Sequence, residues 1–230
     1  MKFGVIVFPG SNCDHDAYTA VTKDMGCSAE YIWHKETALP KGTDCIILPG
    51  GFAHGDYLRC GAIARFSPIM DEVIKFANNG GYVIGICNGF QVLTEAHLLP
   101  GALLRNTNLS FICEDSYLTT VNRNTAFTSA IPEGKTLRVP IAHGEGNYFA
   151  DADTIKMIED NNQVLFRYAT PTGEVSPAAN PNGAINNIAG IINDKGNVLG
   201  MMPHPERYCD AQLGCDDGKF VFQSLINSLK

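Results

Sequence analysis

The segment YVIGICNGFQVL, residues 82–93, is the part of the sequence most informative about the fold. Its apolar run Val83–Ile86 predicts a buried strand, and the residues after Cys87 have the pattern of a helix. A cysteine between Gly85 and Gly89 at a strand-to-helix corner matches the Gly-x-nucleophile-x-Gly elbow. The turn is tight, so glycine is favoured on both sides of the nucleophile. We therefore expect the Cys87 side chain to stand above a sheet, at a helix N-terminus that favours its thiolate.

Strand and helix patterns alternate on both sides of this corner. The strands predicted in the first half are residues 2–8, 29–34, 43–51 and 82–86, and the helices are residues 16–26, about 68–81 and 88–99. This alternation predicts an α/β fold with a mainly parallel sheet flanked by helices. Ligands of such sheets bind at the carboxyl ends of the strands. Residues 49–51, Cys87 and His204 all fall at such ends.

The second half has strand patterns separated by Gly, Asn and Pro turns. The predicted strands are residues 109–121, 136–149, 162–169, 187–193 and 197–207, and a helix over residues 218–230 follows them. The chain has no internal repeat and no long linker. We therefore expect residues 1–230 to form a single domain.

A base for the Cys87 thiol is predicted at His204, in the segment Pro203-His204-Pro205-Glu206. The two prolines oppose a helix and favour extended backbone. Side chains alternate along an extended segment, so His204 and Glu206 would project to the same side. The sequence thus predicts a catalytic triad in which Glu206 orients His204 and His204 serves Cys87.

Backbone N–H groups near the thiol are candidates for an oxyanion hole. The N–H of Asn88 follows the nucleophile directly and can face an oxyanion formed on the substrate. Paired glycines in Pro49-Gly50-Gly51 let a ligand approach the backbone closely, and Gly51 is our second candidate donor. A loop turn without a ligand role is the alternative interpretation of Gly51.

Composition excludes several classes of protein. The net charge of −7 and the lack of a basic stripe argue against a nucleic-acid partner. No apolar run approaches the roughly 20 residues that span a membrane. The eight cysteines form no C-x-x-C pair, so no metal site is predicted. Because the N-terminal stretch lacks a signal-peptide pattern, we expect a cytoplasmic protein with reduced thiols, most of them buried in the core.

Several motifs together resemble class I (triad-type) glutamine amidotransferases. They are the elbow with Gln91 four residues after Cys87, the His-Pro-Glu segment, and the stretches FPGSNCD (8–14), GGFAHGDYLRCGAIARFSP (50–68), HGEGNY (143–148) and MMPHPER (201–207). The resemblance implies a flavodoxin-like fold and a glutaminase that forms a Cys thioester and releases glutamate and ammonia. It also implies that Gln91 lies near bound glutamine. His143 either lines the same pocket or supports its packing.

Within that family the chain is similar to subunits that feed ammonia to the synthetase of the fourth step of de novo purine synthesis. This resemblance implies two partners, a large synthetase subunit and a small bridging subunit. It also places ATP and Mg in the partner synthetase, and this chain has no Gly-x-x-x-x-Gly-Lys-[Ser/Thr] motif of its own. Two alternatives stay open, a stand-alone cysteine hydrolase (a peptidase or γ-glutamyl hydrolase) and a non-enzymatic regulator with a vestigial site.

Overall fold

The computed structural model describes residues 1–229, so Lys230 at the end of the predicted C-terminal helix lies outside the described residues. In chain order the strands and α-helices are β1 (Lys2–Val7), α1 (Asp14–Thr19), β2 (Ser28–Trp33), β3 (Cys45–Leu48), α2 (Pro68–Asn78), β4 (Tyr82–Ile86), α3 (Asn88–Glu95), β5 (Ala102–Leu104), β6 (Ile112–Thr120), β7 (Leu137–His143), β8 (Asn147–Phe149), α4 (Ala152–Asp160), β9 (Val164–Ala169), β10 (Ile188–Ile192), β11 (Val198–Met201) and α5 (Lys219–Ser228).

Nine strands form one sheet in the order β2-β1-β3-β4-β11-β10-β9-β6-β7. The α/β class is confirmed, and the sheet is mixed. Strands β2, β1, β3, β4 and β11 pair in parallel, whereas β10, β9, β6 and β7 continue the sheet with antiparallel pairings. The parallel part needs crossover helices, which the first half supplies. In the second half, β10 and β11 are joined by a turn at residues 193–197, which is too short for a parallel crossover.

The position of α3 depends on close contact with the sheet. Every residue of β3 and β11 is buried. Phe90 of α3 is completely buried, and a Cβ built on Gly200 of β11 would lie only 2.1 Å from the Phe90 Cδ2 atom. Glycine at this position lets the helix sit directly on the sheet. This packing fixes the helix N-terminus that follows residue 87.

The structure differs from the sequence predictions in several places. The strand predicted over 136–149 divides into β7 and β8 at residues 144–146. The strand predicted over 197–207 ends at Met201, and residues 205–207 form a 3-10 turn. Helix α4 was not predicted, although Asp151 caps it by accepting a hydrogen bond of 2.8 Å from the Thr154 N–H. Within residues 1–229, no helix has the length and apolar character that crossing a membrane requires.

Candidate active site

Cys87 lies at the corner between β4 and α3, as predicted. Its backbone angles are φ 50° and ψ −105°, a conformation that side-chain-bearing L residues rarely adopt. A Cβ built on Gly85 would lie 2.6 Å from the Gly89 carbonyl oxygen. A Cβ built on Gly89 would lie 1.9 Å from the Leu48 carbonyl oxygen. The crowding expected of an elbow is therefore present. The thiol is 5% exposed and donates a 3.6 Å hydrogen bond to the Ala142 carbonyl.

The two candidate oxyanion donors have N–H groups that the local structure leaves available. Asn88 begins α3, and the first N–H groups of a helix have no acceptor within the helix. Gly51 belongs to an isolated antiparallel bridge in which the Phe52 N–H donates to the Gly10 carbonyl at 3.1 Å. That pattern does not use the Gly51 N–H, and Gly51 lines the cavity in front of the elbow. The oxyanion role of both groups stays a prediction.

His204 and Glu206 are in contact, but the backbone differs from our expectation. The His204 Nδ1 atom lies 2.7 Å from Glu206 Oε1, and the two side chains are 1% and 0% exposed. The predicted extended segment is wrong, because Pro205–Arg207 forms a 3-10 turn. Proline suits the first position of such a turn as well as an extended backbone. Tight packing accompanies this turn, since a Cβ on Gly218 would lie 2.0 Å from the Pro205 carbonyl oxygen.

The surroundings of His204 favour a protonated ring. Burial opposes protonation, but the Glu206 carboxylate, together with Cys87 in its thiolate form, outweighs it and holds the pKa of His204 well above its ordinary value. The His204 Nε2 atom has no hydrogen-bond partner among residues 1–229. Cys87 and His204 thus interact electrostatically while Nε2 stays available for proton exchange. This arrangement has the parts that nucleophilic acyl transfer needs.

A second thiol lies beside His204. Cys13 is 1% exposed, and its Sγ accepts a 3.0 Å hydrogen bond from Arg207 Nη2. The ligand atoms of Cys13, His204 and Glu206 lie within 4.8 Å of one another, the one group so spaced for a metal ion among residues 1–229. The neighbouring Arg207 cation opposes metal binding there. Neither Cys13 nor Arg207 was among the predicted site residues, although they lie in the motifs FPGSNCD (8–14) and MMPHPER (201–207).

Gln91 lines the cavity and ties α3 to its surroundings. Its Nε2 donates to the Glu145 carbonyl at 2.7 Å, and its Oε1 accepts from Asn88 Nδ2 at 2.9 Å. The Asn88 Oδ1 in turn accepts from the Ala53 N–H at 3.1 Å. The two side-chain amides therefore hold the loops on either side of the elbow. A substrate contact of Gln91 stays a prediction.

His143 both lines the cavity and is packed firmly in place. It is 3% exposed, and its Nδ1 and Nε2 atoms lie 3.1 Å from Asn106 Oδ1 and 3.4 Å from Asn182 Nδ2. Burial, helped by the nearby His204, lowers the pKa of His143 to about 4. The ring is therefore neutral at physiological pH. The completely buried Asn106 and Asn182 were not predicted, because no local pattern connects them with residue 143.

A cavity of about 350 Å³ opens in front of Cys87. One wall is the loop after β3, where His54, Gly55, Asp56 and Leu58 all have positive φ angles between 55° and 71°. The other walls are α3, residues 105–111 and the turn after β7. Charged side chains from these walls were not among the predicted site residues. These side chains come together only in the tertiary structure, which the separate sequence motifs do not reveal.

Comparison with protein families gives one match that spans most of the chain. Residues 1–214 match the family model of the CobB/CobQ-like glutamine amidotransferase domain. A protein of Moorella thermoacetica named phosphoribosylformylglycinamidine synthase subunit PurQ is 59% identical over 227 residues, which cover 99% of this chain and 96% of the relative. A protein of the same name from Salinibacter ruber is 56% identical over 226 residues, covering 98% and 96%.

A solved structure has the same fold along its whole length. A chain in the structure of PurLQS from Thermotoga maritima superposes with a TM-score of 0.87 at 43% identity. The match covers 100% of this chain and 99% of that chain. The fold seen here is therefore shared from end to end with that chain of the PurLQS structure.

Proposed function

Because this chain belongs to the CobB/CobQ-like glutamine amidotransferase family, we propose that it is the glutaminase subunit of phosphoribosylformylglycinamidine synthase. It hydrolyses glutamine and delivers ammonia to an ATP-dependent synthetase subunit in de novo purine biosynthesis. That partner converts formylglycinamide ribonucleotide to formylglycinamidine ribonucleotide. The observation that carries the proposal is the 2.7 Å contact of His204 with Glu206 beside the strained Cys87 elbow. We further propose that residues 1–230 act as one domain in the cytoplasm.

The first half of the reaction transfers the acyl group to the thiol. The Cys87 thiolate attacks the side-chain amide carbon of glutamine, and a C–S bond forms as the carbonyl oxygen becomes an oxyanion. The N–H groups of Gly51 and Asn88 donate to that oxygen. The C–N bond then breaks, and protonated His204 gives its Nε2 proton to the leaving nitrogen, which departs as ammonia.

The second half returns the enzyme to its starting state. Neutral His204 accepts a proton from water as the oxygen attacks the thioester carbon. The C–S bond breaks, glutamate leaves, and the thiolate and imidazolium are restored. Glu206 holds the ring in one orientation and stabilises its positive charge in both halves.

The proposal includes two protein partners. The Moorella thermoacetica relative is named as a subunit of phosphoribosylformylglycinamidine synthase. The similar solved chain comes from the structure of PurLQS from Thermotoga maritima. We propose that the counterparts here are a large synthetase subunit and a small bridging subunit. ATP and Mg bind to the large subunit, where they activate the ribonucleotide that accepts ammonia.

An electrophilic glutamine analogue tests this function. The reconstituted complex of all three subunits is incubated with a diazoketone analogue of glutamine, and the modified residue is mapped by mass spectrometry. We expect modification of Cys87 that glutamine blocks and that the partner subunits accelerate. The Cys113→Ala variant is the matched control, since it removes an exposed thiol and should leave labelling intact.

Two outcomes would contradict the proposal. Labelling at another residue, or none in the complete complex, would remove the assigned nucleophile. Equal glutamine hydrolysis with and without the partners would favour a stand-alone hydrolase. The Cys87→Ala complex should lose glutamine-dependent synthesis and keep synthesis from added ammonium salt.

A further inference from the structure

Cys13 brings a second buried sulfur atom to the His204–Glu206 pair. It directly precedes α1, whereas His204 follows β11, and strands β3 and β4 separate β1 from β11 in the sheet. The Cys13 Sγ atom lies within 4.8 Å of a His204 ring nitrogen and of a Glu206 carboxylate oxygen. The proposed reaction has one nucleophile, Cys87, and gives this second thiol no role. Its place beside the base therefore needs an explanation of its own.

The space between Cys13 and His204 is filled up to the backbone of Gly50. A Cβ built on Gly50 would lie 2.6 Å from His204 Cε1, 3.3 Å from His204 Nδ1 and 3.2 Å from Cys13 Sγ. The Cys13 N–H also donates to the Gly50 carbonyl at 3.3 Å. The ring edge that carries Nδ1 and Cε1 therefore packs against residue 50, with the Cys13 sulfur in the same small space. Only a glycine fits between them.

Hydrogen bonds fix the position of the Cys13 sulfur and the direction of its proton. Its S–H group donates to Asn12 Oδ1 at 3.3 Å, and Sγ accepts a 3.0 Å hydrogen bond from Arg207 Nη2. The Arg207 Nε atom lies 3.4 Å from Asp16 Oδ2, so the guanidinium also ties α1 to the turn after His204. Because the proton is directed to Asn12, the sulfur lone pairs remain for the guanidinium and for the imidazole.

The His204 ring needs more than its hydrogen bond to Glu206 to keep one orientation. That bond fixes Nδ1 but allows the ring to tilt about it, and Glu206 Oε2 has no hydrogen-bond partner within residues 1–229. Burial lowers the pKa of His204, whereas Glu206, the Cys87 thiolate and Cys13 raise it. The sulfur thus acts on the ring by packing and by electrostatics together.

On the premise of the proposed glutaminase function, we propose that Cys13, held by Arg207, is a positioning residue for His204. The sulfur and the backbone of Gly50 restrict the tilt of the ring about its bond to Glu206. Nε2 then stays aligned with the leaving nitrogen throughout the reaction. The lone pairs of the sulfur also stabilise the protonated ring. In this role the sulfur forms no bond with the substrate.

Substitutions at residue 13 test this role in the reconstituted three-subunit complex. We expect Cys13→Ala to lower kcat for glutamine hydrolysis by on the order of 10- to 100-fold and to change KM by less than about 2-fold, since misalignment of the base affects the chemical step. Cys13→Ser should recover kcat to within about 5-fold of the wild type, because its hydroxyl still accepts from Arg207.

The pH dependence of kcat/KM separates positioning from general loss of structure. Without the sulfur, the pKa of His204 should fall, so the protonated ring that donates to the leaving nitrogen is lost at a lower pH. The basic limb of the profile should therefore move down by about half a unit or more in Cys13→Ala. Cys45→Ala is the matched control, since it removes a completely buried sulfur from β3. It should lower the free energy of unfolding and leave both kcat and the profile unchanged.

Arg207→Met provides a second route that does not alter residue 13. It removes the donor to the sulfur, and it should lower kcat with the same downward shift of the basic limb. In the double variant with Cys13→Ala, the fall in kcat should be smaller than the product of the two single falls, because both changes disrupt one contact. A fall equal to that product would overturn the assigned link between the two residues.

The remaining outcomes are equally decisive. Wild-type kcat and pH profile in Cys13→Ala, or equal losses in Cys13→Ala and Cys13→Ser, would overturn the positioning role and leave the glutaminase function intact. Synthesis from added ammonium salt verifies that each variant complex is assembled. If Cys13→Ala does not assemble, a wild-type pH profile in Arg207→Met would overturn the role. Failure of the wild-type complex to hydrolyse glutamine would instead overturn the proposed function.

Discussion

The Nδ1 atom of His204 lies 2.7 Å from the Oε1 atom of Glu206, and both side chains are buried almost completely. A buried carboxylate this close to an imidazole stabilises the protonated ring and prevents its rotation. The opposite ring nitrogen, Nε2, has no hydrogen-bond partner within residues 1–229. The pair therefore leaves one nitrogen for proton transfer and holds the other in place.

Replacing Glu206 by Gln should lower kcat for glutamine hydrolysis by on the order of 10²- to 10⁴-fold. The amide can still accept a hydrogen bond, but it lacks the negative charge that raises the pKa of His204. Burial, which opposes protonation, remains, so the pKa of the ring should fall. Steady-state kinetics of the complex and NMR titration of the imidazole measure the two effects. The exposed Glu133→Gln variant is the control, and an unchanged kcat in Glu206→Gln would contradict the assigned role.

His143 should make the folded protein sensitive to acid. In the unfolded chain it binds a proton below its ordinary pKa of about 6.5, whereas the folded protein resists protonation until the pH reaches about 4. The free energy of unfolding should therefore fall by about 3 kcal/mol from this residue as the pH drops through that range. Urea unfolding at pH 7 and pH 4 measures the loss. It should be smaller in His143→Gln than in the wild type or in the exposed-site variant His15→Gln, and an identical loss in all three would refute the prediction.

The backbone at Cys87 should store conformational strain. Residue 87 has a positive φ angle of 50°, which glycine adopts far more easily than alanine. The free energy of unfolding of Cys87→Gly should therefore be higher than that of Cys87→Ala by about 1 kcal/mol or more. Both variants lose the thiol, which makes their comparison independent of its contacts. Chemical denaturation of the two proteins gives the difference. If Cys87→Ala were the more stable, the strained geometry of the elbow would be incorrect.

Gly89 should be intolerant of even one methyl group. Glycine within a helix usually gains about 1 kcal/mol of stability when replaced by alanine. Here the added Cβ would lie 1.9 Å from the Leu48 carbonyl oxygen, so Gly89→Ala should destabilise the fold by about 3 kcal/mol or more. Gly134→Ala is the control for a glycine with open surroundings and should cost about 1 kcal/mol through its φ of +70° alone. A neutral or stabilising Gly89→Ala would show that α3 does not press on β3.

The elbow was predictable because its requirements are local. The glycines at 85 and 89 and the strand and helix on either side lie within twelve residues. The pairing of His204 with Glu206 was also predictable, but the backbone conformation of their segment was not. A proline at 205 fits both an extended segment and a 3-10 turn, and the turn's packing partner, Gly218, lies 13 positions further along the chain.

Other features depend on contacts between distant segments. The antiparallel pairings of β10 with β9, of β9 with β6 and of β6 with β7 join strands whose order in the sheet differs from their order in the chain, and strand patterns alone do not give that order. The asparagines that hold His143 come from residues 106 and 182, far away in sequence. Helix α4 was missed because most of its residues are polar and Ile158 is its single buried residue. The charged wall of the cavity was missed for a similar reason, since Asp56, Arg105 and Glu145 come from three separate loops.

The central claim is that Cys87 carries the acyl intermediate of glutamine hydrolysis. It is tested most directly by acid-quenching the three-subunit complex during turnover of glutamine and mapping acylated peptides by mass spectrometry. We predict a γ-glutamyl thioester on Cys87 that disappears in Cys87→Ser and persists in the Cys113→Ala control. A thioester on any other cysteine, or glutamine hydrolysis at the wild-type rate in Cys87→Ala, would show that Cys87 is not the nucleophile.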